Sequence, residues 1–302
     1  MTDAGTFFAV VNPAAGGGRC GKLVQSALDR LLAGGVKLEA VETDAPGQGA
    51  HLARDAYARG YRRFMAVGGD GTSYEIVNGL FPRREPDEPA TLAFLPLGTG
   101  NSFLREFTDR GVEHAIEAVL AGRSQPCDVL RLRHTEGTLH YINLLAMGFA
   151  ADVATLRARR FSGWGELGYQ SSIFISLARF RRRPFPLRVD GEGEIDRRPC
   201  LFLTFNNSKF TGGTMMIAPK AEVNDGLIEY VRWGPIGRLG LIRNLPTLYD
   251  GTHIHHPLAE RRGASRIDFH LDAPVDVMVD GEVLTLQCQT LDVLPSALRV
   301  VV

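Results

Sequence analysis

Four times within the first 107 residues a short apolar run gives way to apolar residues at helical spacing, and in three of the four the connection is rich in glycine. The run 7–11 reads as a buried strand, 36–42, 63–67 and 91–97 as further strands, and 21–32, 50–59, 73–80 and 102–107 as the helices that follow them. In the first helix the apolar stripe is Leu23, Val24, Ala27, Leu28 and Leu31. Strands alternating with helices specify a mostly parallel, doubly wound α/β sheet, because a parallel strand needs a crossover and a helix is what fills it. All the connections that follow strands then lie on the carboxyl edge of one sheet, the usual place for a ligand in this architecture.

Past Asp128 the texture changes to short strand-like segments bounded by turn residues, at 129–133, 139–145, 187–189, 201–205, 227–231, 267–271, 275–279 and 283–286. That pattern predicts a C-terminal antiparallel β-sandwich, interrupted by a helix-like insertion over 165–183. The expected domains are 1–128 and 129–302, with the last strand, about 291–302, free to return to the first domain. The string Val-Asp-Gly-Glu occurs twice, at 189–192 and 279–282.

Lys+Arg and Asp+Glu both number 34 over the 302 residues, so no global field attracts polyanions and nucleic acid is not an expected partner. Residues 1–128 carry 13 basic and 16 acidic side chains, which leaves 21 and 18 for the rest. The second part is thus mildly basic. Cys20, Cys127, Cys200 and Cys288 are far apart, without metal-ligand spacing, and read as reduced thiols of a cytoplasmic protein. No apolar run is long enough to span a bilayer. Any membrane contact is therefore expected to be peripheral, and the arginines between 157 and 183, interleaved with aromatics, read either as a helix that covers the sandwich with a solvated arginine end or as a stretch suited to an anionic surface or an acyl chain. His253, His255 and His256 read as an exposed loop.

The glycine loops carry the chemistry. In Asn12-Pro13-Ala14-Ala15-Gly16-Gly17-Gly18-Arg19-Cys20-Gly21-Lys22 the spacing fits both G-x-G-x-x-G and the Walker A loop. The first glycine comes late after the strand, and Leu23 stands where Walker A needs a hydroxyl. Gly68-Gly69-Asp70-Gly71-Thr72 pins a carboxylate between glycines at the mouth of the sheet, with Thr72 and Glu75 at capping-box spacing. Pro96-Leu97-Gly98-Thr99-Gly100-Asn101 repeats the design, with Asn101 as the expected N-cap of the next helix. Three such loops on one sheet edge point to a polyphosphate, whose oxygens backbone N–H groups can hold without net positive charge.

Taken in order, these loops resemble the diacylglycerol kinase and sphingosine kinase superfamily, in its bacterial lipid-kinase branch. Further along, the resemblance rests on Gly148-Phe149-Ala150-Ala151-Asp152, Ala218-Pro219 through Asn224-Asp225-Gly226-Leu227, and Asp280-Gly281-Glu282. It implies an ATP-dependent kinase for an amphiphilic lipid alcohol such as diacylglycerol, with the nucleotide held by Asn12, Pro13, Ala14, Ala15, Gly16, Thr43, Gly68, Gly69, Asp70, Gly71, Thr72, Ser73, Tyr74 and Thr99. It implies Glu282, Asp280 and Asp70 as the catalytic carboxylates, facing a cleft between the domains. It also implies Mg2+ as cofactor, with a structural Mg2+ at Asp225 and the main-chain carbonyls of Glu222 and Leu227. Lys220 and Asn224 stand where the family often has acids. On the residues alone, the Asp280-Gly281 pair is equally a two-residue hairpin turn. A dinucleotide enzyme, an NAD kinase and a non-catalytic binding relative share parts of the pattern, and a homodimer is left open.

Overall fold

The computed structural model describes residues 5–82, 88–160, 175–176 and 182–302. By contacts between Cα atoms the chain divides into two units, Met1–Val129 with Pro295–Val302, and Leu130–Leu294.

In the first unit β1 (Phe7–Val11) is buried along its whole length and lies between β2 (Leu38–Glu42) and β3 (Arg63–Gly68), parallel to both. β3 pairs in parallel with β4 (Ala90–Pro96). Leu298–Val300, at the end of the chain's last strand, completes the sheet beside β4, again in parallel. The order is the doubly wound one read from the alternation. Helices α1 (Arg19–Ala33), α2 (Gln48–Ala58), α3 (Asp70–Leu80) and α4 (Val112–Ala121) pack around it. α1 buries Val24, Ala27, Leu28 and Leu31 against Phe7, Ala9, Met65 and Val67, which is the stripe expected at helical spacing apart from Leu23, which is exposed. α4 was not read from the sequence, although Gly111 and Gly122 bracket its apolar Ala115, Ile116, Ala118 and Val119. Only a single turn, Leu104–Glu106, stands where a helix over 102–107 was expected.

In the second unit one sheet is antiparallel, with β7 (Leu144–Gly148) flanked by β10 (Phe202–Asn206) and β14 (Val275–Val279). β11 (Ile228–Trp233) and β12 (Ala259–Ala264) extend it on one side, and β15 (Glu282–Leu286) on the other. β8 (Leu187–Val189) and β9 (Glu192–Asp196) form a hairpin that joins β13 (Arg266–Phe269) and the first half of β16 (Cys288–Val301). The expected strand over 139–145 is two strands, β6 (Gly137–Tyr141) and β7, separated by Ile142 and Asn143. β5 (Ser124–His134) pairs with β6. Helix α5 (Phe149–Arg160) follows β7, and the rest of the arginine-rich insertion lies outside the described residues except at 175–176 and beyond 181. Trp233 is fully buried in this unit's core, edge-on to Phe202 at 5.6 Å. All four cysteines are free and buried.

The histidine loop differs from its reading. His253 is only 1% exposed, its ring nitrogens facing the carbonyls of Thr247 and Ile217 and its ring 5.7 Å from that of Trp233. A half-polar ring buried beside an indole has no signature in the sequence.

Candidate active site

The three glycine loops of the first unit are packed on one another, and the glycines are what allows it. A Cβ on Gly98 would stand 2.7 Å from the Cα of Gly69, and one on Gly16 would stand 2.9 Å from the carbonyl of Leu97. A Cβ on Gly69 would meet the Gly100 carbonyl at 2.9 Å. Backbone bonds stitch the loops together: Gly98 donates to the Gly68 carbonyl, Asn12 to Val67, and Thr43 to Val11. The Arg19 guanidinium donates to the Gly98 carbonyl at 3.4 Å, a contact that sequence reasoning missed.

Gly17 and Gly18 are different. Both adopt left-handed φ, 67° and 86°, and a Cβ on either would meet nothing within 4 Å. They lead into α1, which has no side-chain N-cap and no acid in its first turn; Gly18, Cys20 and Gly21 donate their N–H groups to the carbonyls of Ala14, Ala15 and Pro13, which folds the loop back on the helix start. Thr99 is exposed at the tip of the third loop. The Thr72 hydroxyl is buried and has no hydrogen-bond partner among the described residues. A helix start without an acid, an orphaned hydroxyl and an open glycine pair fit the oxygens of a polyphosphate.

Asp70 is the first residue of α3, not a loop residue ahead of it. Its carboxylate accepts the Ser102 N–H at 3.0 Å and the Phe103 N–H at 3.4 Å, and its own N–H donates to Gly100. These bonds replace the expected helix start: Asn101 caps nothing and instead donates to Gly98 at 3.1 Å. Burial raises the Asp70 carboxyl above the usual carboxylate range, and the Ser102 and Phe103 N–H bonds oppose that shift only in part. Asp70, Gly68, Gly69, Ser73 and Asn101 line a cavity of about 10 Å³, the room of one water. Thr72 and Glu75 form no capping box. Glu75 reaches to the start of α2 and accepts the N–H of Gly47 and of Gly49, both at 2.7 Å.

In the second unit the two Val-Asp-Gly-Glu strings make the same turn. Val279 pairs with Glu282 across Asp280-Gly281, and Val189 pairs with Glu192 across Asp190-Gly191. Both aspartates take left-handed φ, 47° and 53°. Each uses its carboxylate to hold a neighbouring segment. Asp190 accepts from the N–H groups of Ser265 and Arg266, which, with the Ser265 hydroxyl and Arg262, outweigh burial and lower its pKa. Asp280 is 2% exposed and accepts the N–H of Ile142 at 3.0 Å, of Asn143 at 3.0 Å and of Leu144 at 2.9 Å. A carboxylate spanned by three backbone donors is a structural clamp, which argues against the catalytic duty the resemblance implied for Asp280. Glu282 is exposed.

At the Asp225 turn, Glu222, Asp225 and Leu227 are all exposed, and the Asp225 carboxylate accepts the Leu227 N–H at 2.9 Å. One carboxylate and two carbonyls would supply half of an octahedral Mg2+ shell, and such an ion keeps waters for the rest. Among the described residues no three His, Cys, Asp or Glu side chains cluster for a metal ion.

Two families match consecutive parts of the chain. Residues 6–132 match the diacylglycerol kinase catalytic domain, and residues 143–302 match the YegS C-terminal NAD kinase beta sandwich-like domain. The chain belongs to the diacylglycerol kinase and YegS lipid kinase family. A diacylglycerol kinase of Mycobacterium tuberculosis is 28% identical over 303 residues, covering 99% of this chain and 95% of the relative. One from Bacillus subtilis is 26% identical over 280 residues, covering 90% and 88%. The crystal structure of a diacylglycerol kinase from Bacillus anthracis superposes with a TM-score of 0.72 at 19% identity, over 98% of this chain and 96% of that one, and shows the shared fold. Membership of this family makes the protein an ATP-dependent lipid kinase.

Proposed function

We propose that this family member phosphorylates the hydroxyl of diacylglycerol or a closely similar amphiphilic alcohol, with the three glycine loops as the ATP phosphate cradle and Glu282 as general base. The observation that carries the cradle is the interlocked loop triad, Gly16 against Leu97 and Gly98, and Gly69 against Gly98 and Gly100, whose loops also carry the open Gly17-Gly18 pair, the exposed Thr99 and the unpartnered Thr72 hydroxyl. The acceptor class follows from the relatives' names.

Phosphoryl transfer needs positioning and charge stabilisation more than covalent help. The acceptor oxygen bonds to the γ-phosphorus as that phosphorus separates from the bridging oxygen of ADP, and the hydroxyl proton passes to the Glu282 carboxylate. The products are ADP and a lipid phosphate monoester. The open backbone at Gly17 and Gly18 lets phosphate oxygens approach the positive end of α1, with Thr72 and Thr99 as hydroxyl donors. A divalent ion, where it accompanies ATP, would supply charge neutralisation of the polyphosphate. Asp70, locked by Ser102 and Phe103, fixes the second and third loops to each other.

Of the carboxylates implied by the resemblance, Glu282 is the one suited to proton transfer, because it is exposed while Asp280 is spent on backbone donors. Contact with the lipid surface is peripheral in this proposal, and no described helix is long and apolar enough to cross a membrane. The test is a screen of labelled γ-phosphate transfer over extracted lipids. Label in a diacylglycerol-type product supports the acceptor assignment, and label only in a different lipid class overturns it.

A further inference from the structure

The turn that carries Glu282 is held at a junction of three strand ends, and a buried polar cluster holds the junction. Asp280 grips the link between β6 and β7 from one side, through the N–H groups of Ile142, Asn143 and Leu144, and donates its own N–H to the Leu144 carbonyl at 3.0 Å. From the other side the end of β10 grips the same link. Asn207 donates its backbone N–H to the Asn143 carbonyl at 2.8 Å and its side-chain amide to the Ile142 carbonyl at 2.9 Å. The Ser208 hydroxyl donates to the side-chain oxygen of Asn143. Asn207 and Ser208 are 0% exposed and Asn143 is 3% exposed.

Two residues of link, Ile142 and Asn143, are therefore clamped between a carboxylate and a serine–asparagine pair. Such a link has no regular partner strand of its own to fix it. If it moves, the donors to Asp280 move, and the turn is displaced at its Asp280 end even while β14 keeps its ladder to β7. The geometry points to Ser208 as a positioning residue for Glu282, acting through Asn143 and Asp280. This assignment rests on the reading of Glu282 as general base. Ser208 itself takes no part in proton transfer, and its effect belongs to kcat rather than to ATP binding, which the first unit's loops provide.

The test is a kinetic double-mutant cycle on the full chain, with ATP and diacylglycerol in mixed micelles. Ser208→Ala is expected to lower kcat about tenfold with the KM for ATP unchanged, since small misplacement of a reacting group has effects of this size or larger. In a Glu282→Asp background, where the carboxylate is already misplaced, the same change is expected to lower kcat by less than about threefold, because coupled residues are not additive. Equal losses in both backgrounds, or no loss in either, overturn the inference. Ser208→Cys keeps a weak donor at the same place and carries the same prediction at smaller size, should the alanine variant fold poorly. Glu282→Gln separates the two ideas: wild-type turnover in that variant removes the base assignment itself, whereas an inactive Glu282→Gln with a fully active Ser208→Ala removes only the positioning role.

Discussion

Replacing Asp280 tests whether its carboxylate is chemical or structural. Asp280→Ala strips the acceptor from three buried backbone donors, Ile142, Asn143 and Leu144. Each unsatisfied buried donor costs about 1–3 kcal/mol. Alanine at a φ of 47° adds about 1 kcal/mol, because a Cβ disfavours the left-handed region. Taking the low end for each donor, the loss is about 4 kcal/mol. Asn at this position tolerates the backbone and keeps one oxygen for Asn143 and Leu144, but turns an amide toward the Ile142 N–H, so its loss is about 1–2 kcal/mol. Asp190→Ala is the control. It leaves an equivalent turn whose donors, Ser265 and Arg266, lie at exposed hydrogen bonds that water can replace, and about 1–2 kcal/mol is expected. Urea unfolding followed by tryptophan fluorescence reads all three variants. The expected order of destabilisation is Asp280→Ala, then Asp280→Asn level with Asp190→Ala. Glu282→Gln, by contrast, should unfold within about 0.5 kcal/mol of wild type, as exposed substitutions do. An Asp280→Asn protein as stable as wild type yet a hundredfold slower would refute the structural reading and return Asp280 to the chemistry.

Gly98→Ala drives a Cβ to within 2.7 Å of the Gly69 Cα and is expected to cost about 1–3 kcal/mol and weaken ATP binding, while Gly17→Ala meets no neighbour and costs about 1 kcal/mol for its left-handed φ. Thermal unfolding with and without ATP distinguishes them. Glu75→Ala leaves the Gly47 and Gly49 N–H groups at the start of α2 uncapped, and a loss of about 1–2 kcal/mol in urea unfolding is expected; no change would show that the cap is idle. His140 is 2% exposed, and burial, with the Arg131 charge adding to it, pushes its pKa down to about 4. The unfolded chain takes up that proton near pH 6.5, so this part of the stability is present above pH 6.5 and is lost as pH falls to about 4, to the extent of roughly 3 kcal/mol. His140→Gln should flatten stability against pH over that window, and an unchanged slope would count against the buried neutral ring.

The first unit was legible because its signals are local. A strand buried on both faces is an unbroken apolar run, as 7–11 and 64–67 are, and a helix covering it shows its stripe within a dozen residues. Where the reading erred, a distant partner decided. Thr72 and Glu75 have capping spacing, but Glu75 is claimed by α2. The run 102–107 has helical residues, yet its first N–H groups are taken by Asp70. Helix α4 was within reach of the sequence, since its glycines and apolar spacing are both present. The two Val-Asp-Gly-Glu strings predict the hairpins that they form, but nothing local says that Asp280 is buried under a link 136–138 residues away. That contact is what distinguishes the buried carboxylate of Asp280 from the exposed one of Glu282. The resemblance supplied the family and the set of candidates; the geometry ranks them.

The proposed transfer of ATP's γ-phosphate to a lipid hydroxyl, with the first unit's loops as cradle and Glu282 as base, is tested by the initial rate of labelled phosphate transfer to diacylglycerol by wild type, Asp70→Asn and Glu282→Gln, each shown to be folded. Robust transfer by wild type is expected, with a fall of about 10²–10⁴ for Glu282→Gln and the KM for ATP retained. Asp70→Asn is expected to lose activity together with ATP binding. Equal transfer by all three proteins, or none to any lipid by wild type, would contradict the proposed transfer.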